Sequence, residues 1–205
     1  MMVALGGCRN DGRTMRPATA DQDSSISDPP TTTDASAFID AAGDPSDAAP
    51  PTVTLPATTA ALVVSAPWRN GAAIDPRFTC DGPNVSPALS WSAAPAGTVE
   101  IAITLTDLDA PAFAHWVIAG ISAQSIALDE ATVPLGAYEA TNGNGDLGYT
   151  GPCPPAGAPH EYLLTVHYLG ALTGLGDGTA AAEMITAIES VEIGSAGLSG
   201  SFSRT

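Results

Sequence analysis

Residues 57–205 predict a mainly β domain of the α+β class, and three observations carry that expectation. Short apolar runs are separated by turns dense in Gly and Pro. Several runs alternate with a period of two, as half-buried strands do. A single stretch carries apolar residues at helical spacing. In order, Ala61–Ser65 reads as a first strand and Val99–Thr106 as a second that alternates near its start. Ala114–Ile121 is nearly all apolar, which predicts a central strand covered on both faces. Glu161–Leu169 divides cleanly, with Tyr162, Leu164, Val166 and Tyr168 on one face and Leu163, Thr165 and His167 on the other. Thr179–Glu189 is the helix, with Ala180, Met184, Ala187 and Ile188 as its apolar stripe and Thr179 as its cap. Ser195–Arg204 returns to a strand pattern, and no internal repeat is visible.

Charge narrows the function classes. The chain of 205 residues has 22 acidic and six basic residues, all six Arg, for a net charge of −16. Nucleic-acid binding needs cations to neutralise phosphates, so that class is not expected. An acidic surface is also unsuited to lying flat on anionic lipid. The plain reading of the acidity is solubility. No run approaches the roughly 20 apolar residues that span a bilayer.

The N-terminus has a different texture. Leu5-Gly6-Gly7-Cys8 looks like the end of a bacterial lipoprotein signal, with Cys8 as the lipidated residue. Residues 9–56 are rich in Asp, Ser, Thr, Pro and Ala, and with eight Asp and three Arg carry a net −5. Such a composition buries too little apolar surface to fold and reads as a disordered tether. The signal reading is short upstream: seven residues precede Cys8, fewer than a basic region plus an apolar core require. The alternatives are a start recorded too far downstream, or a disordered N-terminus with an incidental cysteine. Residues 57–205 carry 14 acidic residues and three Arg, so the folded part is acidic as well.

Chemistry-bearing residues gather at the ends of the expected strands. They are Asp107 and Asp109 in Asp107-Leu108-Asp109-Ala110-Pro111, His115-Trp116 opening the next strand, and His160 and Tyr162 after the stiff loop Gly148–Pro155. Loops on a rigid scaffold commonly carry function. Two His, two Asp and a Tyr suit a metal, an acid–base pair, or a set of donors to an anion. Against a metal, no HxH or HxxxH spacing occurs. Against a hydrolase, no GxSxG elbow occurs, and nothing ties Ser86 to a base. Neither a metal nor a cofactor is expected. The three cysteines, Cys8, Cys80 and Cys153, show no CxxC spacing.

Four blocks in order resemble one family. Cys80–Trp91 reads as CDGxxxSPxLxW, Asp107–Pro111 as the family's DPDAP box, His115-Trp116-Val117 as HWV, and Gly148–Pro155 with His160 and Tyr162 as GYxGPCPP…HxY. The chain from about Leu62 onward thus resembles the phosphatidylethanolamine-binding protein family, in its bacterial Raf-kinase-inhibitor-like branch. The resemblance implies two antiparallel β-sheets with short flanking helices. It also implies a pocket for phosphate-like and carboxylate-like groups, lined by Asp107, His115, His160 and Tyr162. Trp116 would lie nearby, Pro154 in the wall, and Asp109 and Pro111 in the supporting loop. A neighbouring Asp is expected to raise each His pKa and favour cationic donors. The chain departs from the pattern at Leu108, where the box has Pro, and at Phe202, where the LxGxYxR ending has Tyr. Loss of the fixed proline φ at Leu108 predicts a looser loop. Cys80 and Cys153 fall in matched blocks and are either a disulfide, as export favours, or two buried thiols.

The function expected is therefore non-enzymatic binding of a small anion, such as a phospholipid headgroup. Alternatives are a kinase or protease inhibitor that docks on a protein partner, and an uncharacterised hydrolase. The expected location is the cell envelope, with membrane contact only through a lipid on Cys8, or else the cytoplasm.

Overall fold

The computed structural model describes residues 61–205. The expected signal (1–8, with Cys8) and most of the region before Leu62, including the tether at 9–56, lie outside the described residues. Among the described residues nine strands and one α-helix follow in the order β1 (Val64–Ser65), β2 (Ala72–Ala73), β3 (Leu89–Trp91), β4 (Glu100–Asp107), β5 (Ala114–Ser122), β6 (Ala127–Leu128), β7 (Tyr138–Glu139), β8 (His160–Leu169), α1 (Ala181–Val191) and β9 (Glu192–Phe202). They form a three-stranded sheet, β1-β3-β6, and a six-stranded sheet, β2-β9-β8-β4-β5-β7. This is the mainly β, two-sheet architecture the sequence predicts. One pairing is not antiparallel: β2 runs parallel to β9.

Period-two alternation decides where the two cores sit. Ile101, Ile103 and Leu105 of β4 join Tyr162, Leu164, Val166 and Tyr168 of β8 in one core. Val64, Leu89, Trp91 and Leu128 of the small sheet close it from the other side. Each such large side chain contributes about 1.5–3 kcal/mol on burial. The opposite face of the large sheet contributes Ala102, Val117, Ala119 and Leu169, which pack on Met184 and Ile188 of α1. β5 is covered on both faces, as its run of apolar residues predicts. It is not central, however, since its outer neighbour is the two-residue β7 at the sheet edge.

The helix differs from expectation at its start. It begins at Ala181 after Ala180, and no side chain caps it. Thr179 lies one position too early, and its hydroxyl closes a turn onto the Gly176 carbonyl instead. The first turn is satisfied by backbone, with Ala181 N–H donating to the Thr141 carbonyl, and by the favourable charge of Glu183. Among the described residues no helix is long and apolar enough to cross a membrane.

β5 contains two irregularities. Leu105 and Thr106 of β4 face Trp116 and Ala114, so His115 is one extra residue on β5. Ile101 and Ile103 face Ile121 and Ile118, which leaves another extra residue beside Gly120. Such bulges bend a strand and re-aim its side chains. At Gly120 (φ +76°) a Cβ would lie 2.7 Å from the Gly136 carbonyl oxygen, so only glycine fits.

Cys80 and Cys153 form a disulfide across 73 residues. Closing a loop of that length contributes about 4 kcal/mol in the chain-entropy account. We expect Cys80→Ser/Cys153→Ser to lower unfolding stability by about this amount in urea titrations, and reductant to destabilise the native protein but not the variant.

Candidate functional site

The site lies where the C-terminal end of β4, the start of β5 and the start of β8 meet. Register brings its members together: Asp107 pairs with Tyr162, and His160 pairs with Phe202 of β9. Asp107 is buried and uses both carboxylate oxygens. Oδ1 accepts the N–H groups of Asp109 (2.8 Å) and Ala110 (3.0 Å), which folds the loop back on itself. Oδ2 accepts from His160 Nδ1 at 2.8 Å. This leaves Nε2 as the remaining nitrogen of a ring that is partly exposed.

His115 occupies the bulge. Its Nδ1 lies 2.9 Å from the Thr150 carbonyl, which can only accept, so Nδ1 carries the proton. In the neutral ring Nε2 is then an acceptor. The side chain is 4% exposed. Burial holds its pKa below the usual histidine value, outweighing the opposing pull of the Thr150 carbonyl and of Asp107. The expectation that the aspartate raises both histidines therefore fails at His115, because desolvation of the cation outweighs attraction to the carboxylate.

Asp107, His115, His160 and Pro154 line one cavity of about 290 Å³, together with Phe113 and Asn144 among others. Tyr162 and Trp116 do not line it. Tyr162 is 1% exposed, on the core face of β8, with its ring edge-on to His115 at 5.2 Å and stacked on His160 at 6.4 Å. Its hydroxyl has no hydrogen-bond partner among the described residues, and burial, with Asp107 and Asp109 adding to it, pushes its pKa up. Trp116 is wholly buried and donates from Nε1 to Glu139 Oε1 at 2.8 Å. Pro111 borders a different depression beside α1.

The loop around Asp109 is pinned rather than loose. Glu161 N–H donates to Asp109 Oδ2 at 2.7 Å, and Leu108 N–H donates to the Glu161 carbonyl at 2.8 Å. A proline at position 108 has no N–H to make that second bond, so Leu108 replaces a fixed φ with a hydrogen bond. Phe202 is buried in the main core, with no hydroxyl to satisfy there.

The opposite wall is stitched to the segment around residue 80. Beyond the disulfide, Cys80 N–H donates to the Pro152 carbonyl, Gly151 N–H to Asn84 Oδ1 at 2.7 Å, and Tyr149 Oη–H to the Phe78 carbonyl at 2.6 Å. A Cβ at Gly151 would lie 2.2 Å from the Phe78 carbonyl oxygen, so the close approach requires glycine. Arg204 bonds Asp81 Oδ1 at 2.9 Å, and its carbonyl accepts from Gly157 N–H, tying the C-terminus to both sides.

Sequence reasoning missed Phe113 and Asn144. The signal for Asn144 was present in Asn142-Gly143-Asn144-Gly145, a turn composition. Buried Asn142 holds that turn through the N–H groups of Asn144 and Asp146. Phe113 carried no signal, because its contact with Gly143 is set by tertiary approach. Asp107, Asp109 and His160 place ligand atoms within 4.8 Å of one another. Both oxygens of Asp107 and one of Asp109 are already taken by N–H donors, so these carboxylates serve the loop and the imidazole.

His115 yields a prediction with a definite sign. Its folded-state pKa is depressed, so the unfolded chain takes up the proton first. Stability is full above about pH 6.5 and falls as pH drops through the native value. We expect His115 to titrate below the usual histidine range by NMR, and His115→Gln to flatten the stability profile over that interval.

Known proteins place the fold in context. The family model described as phosphatidylethanolamine-binding protein matches residues 64–203. The chain is 33% identical to "Putative lipoprotein LppC" of Mycobacterium tuberculosis over 205 residues, covering 98% of this chain and 91% of that protein. It is 37% identical to a "UPF0098 protein" of Methanothermobacter thermautotrophicus over 64% of this chain and 91% of the relative. The crystal structure of Escherichia coli YbcL, described as a new member of the mammalian PEBP family, aligns with a TM-score of 0.67 and 26% identity. That alignment covers 70% of this chain and 99% of YbcL. Four ordered sequence blocks, a two-sheet fold, the Asp107–His160 pair and the family match over residues 64–203 agree: the chain belongs to the phosphatidylethanolamine-binding protein family.

Proposed function

We propose that this protein binds a small phosphate- or carboxylate-bearing anion, such as a phospholipid headgroup, in the Asp107–His115–His160 cavity without chemical turnover. The observation that carries the reading is the pairing of two differently held imidazoles on one cavity. His160 in its imidazolium form donates from Nε2, with its charge balanced by Asp107. His115, kept neutral by burial, offers Nε2 as an acceptor. Together they match an anion that is partly protonated, accepting from one ring and donating its own O–H to the other. Asp107 adds repulsion against a dianion. Among the lining residues no free hydroxyl or thiol is present, since Cys153 is held in the disulfide, which supports binding over covalent catalysis.

For phosphate the consequence is a preference for the monoanion. Calorimetric titration of inorganic phosphate from pH 8 to pH 6 should show affinity rising as pH falls, and His160→Ala should weaken binding at least about tenfold, the loss of one charge-assisted hydrogen bond. Equal affinity for both phosphate forms contradicts the reading.

We further propose that the protein works in the cell envelope, held by a lipid on Cys8. The alignment with "Putative lipoprotein LppC" over 98% of this chain and the Cys80–Cys153 disulfide support that location. Protein isolated from its own envelope should carry an acylated Cys8 by mass spectrometry, and Cys8→Ala should release it to the soluble fraction.

A further inference from the structure

The second irregularity in β5 builds a second charged cavity. Glu100 begins β4, at the opposite end from Asp107, roughly 23 Å away at strand spacing. The bulge at Gly120 turns that residue's N–H out of the ladder and onto Glu100 Oε1 at 2.9 Å. Tyr138 Oη–H donates to the same oxygen at 3.0 Å, and the Thr173 hydroxyl, which lies 3.4 Å from it, is hydrogen-bonded to the Tyr138 hydroxyl. Oε2 accepts no hydrogen bond from the described residues.

Glu100 is 3% exposed and lines a cavity of about 270 Å³ with Gly120 and Tyr138. Val99, Leu172 and Leu175 give its wall an apolar character. None of the described arginines or histidines forms an ion pair with Glu100: Arg77 holds Glu130, Arg204 holds Asp81, His160 holds Asp107 and His167 holds Glu192. A buried carboxylate without a countercharge is costly. Here the Gly120 N–H and the paired hydroxyls of Tyr138 and Thr173 fix one oxygen and leave the other for whatever enters the cavity.

We propose that this cavity binds a guanidinium or ammonium group carried on an aliphatic stem, with Glu100 Oε2 receiving the cation and the apolar wall receiving the stem. A fork of N–H donors on a weakly hydrated cation suits a desolvated carboxylate. The stem of such a group packs on apolar surface while its head makes the polar contact. The net charge of −16 draws cations to the molecule, and the cavity supplies the point where one is selected. The group is either a free small cation or an arginine or lysine side chain of a partner protein.

The test uses the full-length, disulfide-intact protein and n-butylguanidinium, with n-butylurea as its neutral counterpart of the same shape. Saturable shifts of the Gly120 amide in ¹H–¹⁵N spectra are expected with the guanidinium, at a Kd on the order of 1 mM for a ligand of this size. They are not expected with the urea. Glu100→Gln should remove the response, and His160→Ala should leave it unchanged. If both probes act alike, if neither acts, or if folded Glu100→Gln still responds, the proposal is overturned. If Glu100→Gln does not fold, the guanidinium–urea comparison on the native protein decides alone. A capped Gly-Arg-Gly peptide then assigns the source: shifts equal to those of the free guanidinium indicate a protein side chain, and exclusion of the peptide indicates a free small cation.

Discussion

The Asp107 carboxylate is the constraint on which the site depends. One oxygen gathers the N–H groups of Asp109 and Ala110, and the other fixes the His160 ring. A single buried carboxylate thereby shapes a loop and orients an imidazole. It is buried at acceptable cost because each oxygen is hydrogen-bonded. The ring it holds is in turn stacked on Tyr162, whose place on the core face comes from the alternation of β8. Site and core are thus parts of one packing arrangement.

Two bulges make β5 more than a structural strand. A regular strand would alternate His115 away from the Tyr162 face, and the extra residue returns it to the side where Asp107 and His160 lie. The bulge at Gly120 frees an N–H that a ladder would have consumed and gives it to Glu100. Both irregularities lie in a strand covered on both faces, where the surrounding packing holds them in place. Rigidity is reinforced across the first cavity by the disulfide and by the bonds from Asn84, Tyr149 and Arg204.

Much of this was legible in the chain because alternation and block order are local properties. The faces of β8, the double coverage of β5 and the grouping of Asp107, His115 and His160 could all be read from residue order. What escaped depends on three-dimensional approach. Bulges leave the composition of a run unchanged, so the re-aiming of His115 was hidden. The direction of its pKa was misjudged because burial outweighs a nearby charge. Tyr162 was expected in the wall, yet it lies beneath the histidines with an unpartnered hydroxyl. The loop at Leu108 was expected to loosen, yet its N–H gains a bond that proline lacks. Thr179 resembled a cap but sits one residue outside the helix it was to close.

The central claim is that the two imidazoles share one anion through their Nε2 atoms while His167, held between Glu192 and Thr104, stands apart. It is tested most directly by ¹⁵N imidazole NMR of the histidines with and without methyl phosphate. The account predicts that the Nε2 resonances of His115 and His160 move together on saturation while those of His167 stay fixed. Methyl phosphate that leaves both unmoved, or that moves His167 alone, would contradict it.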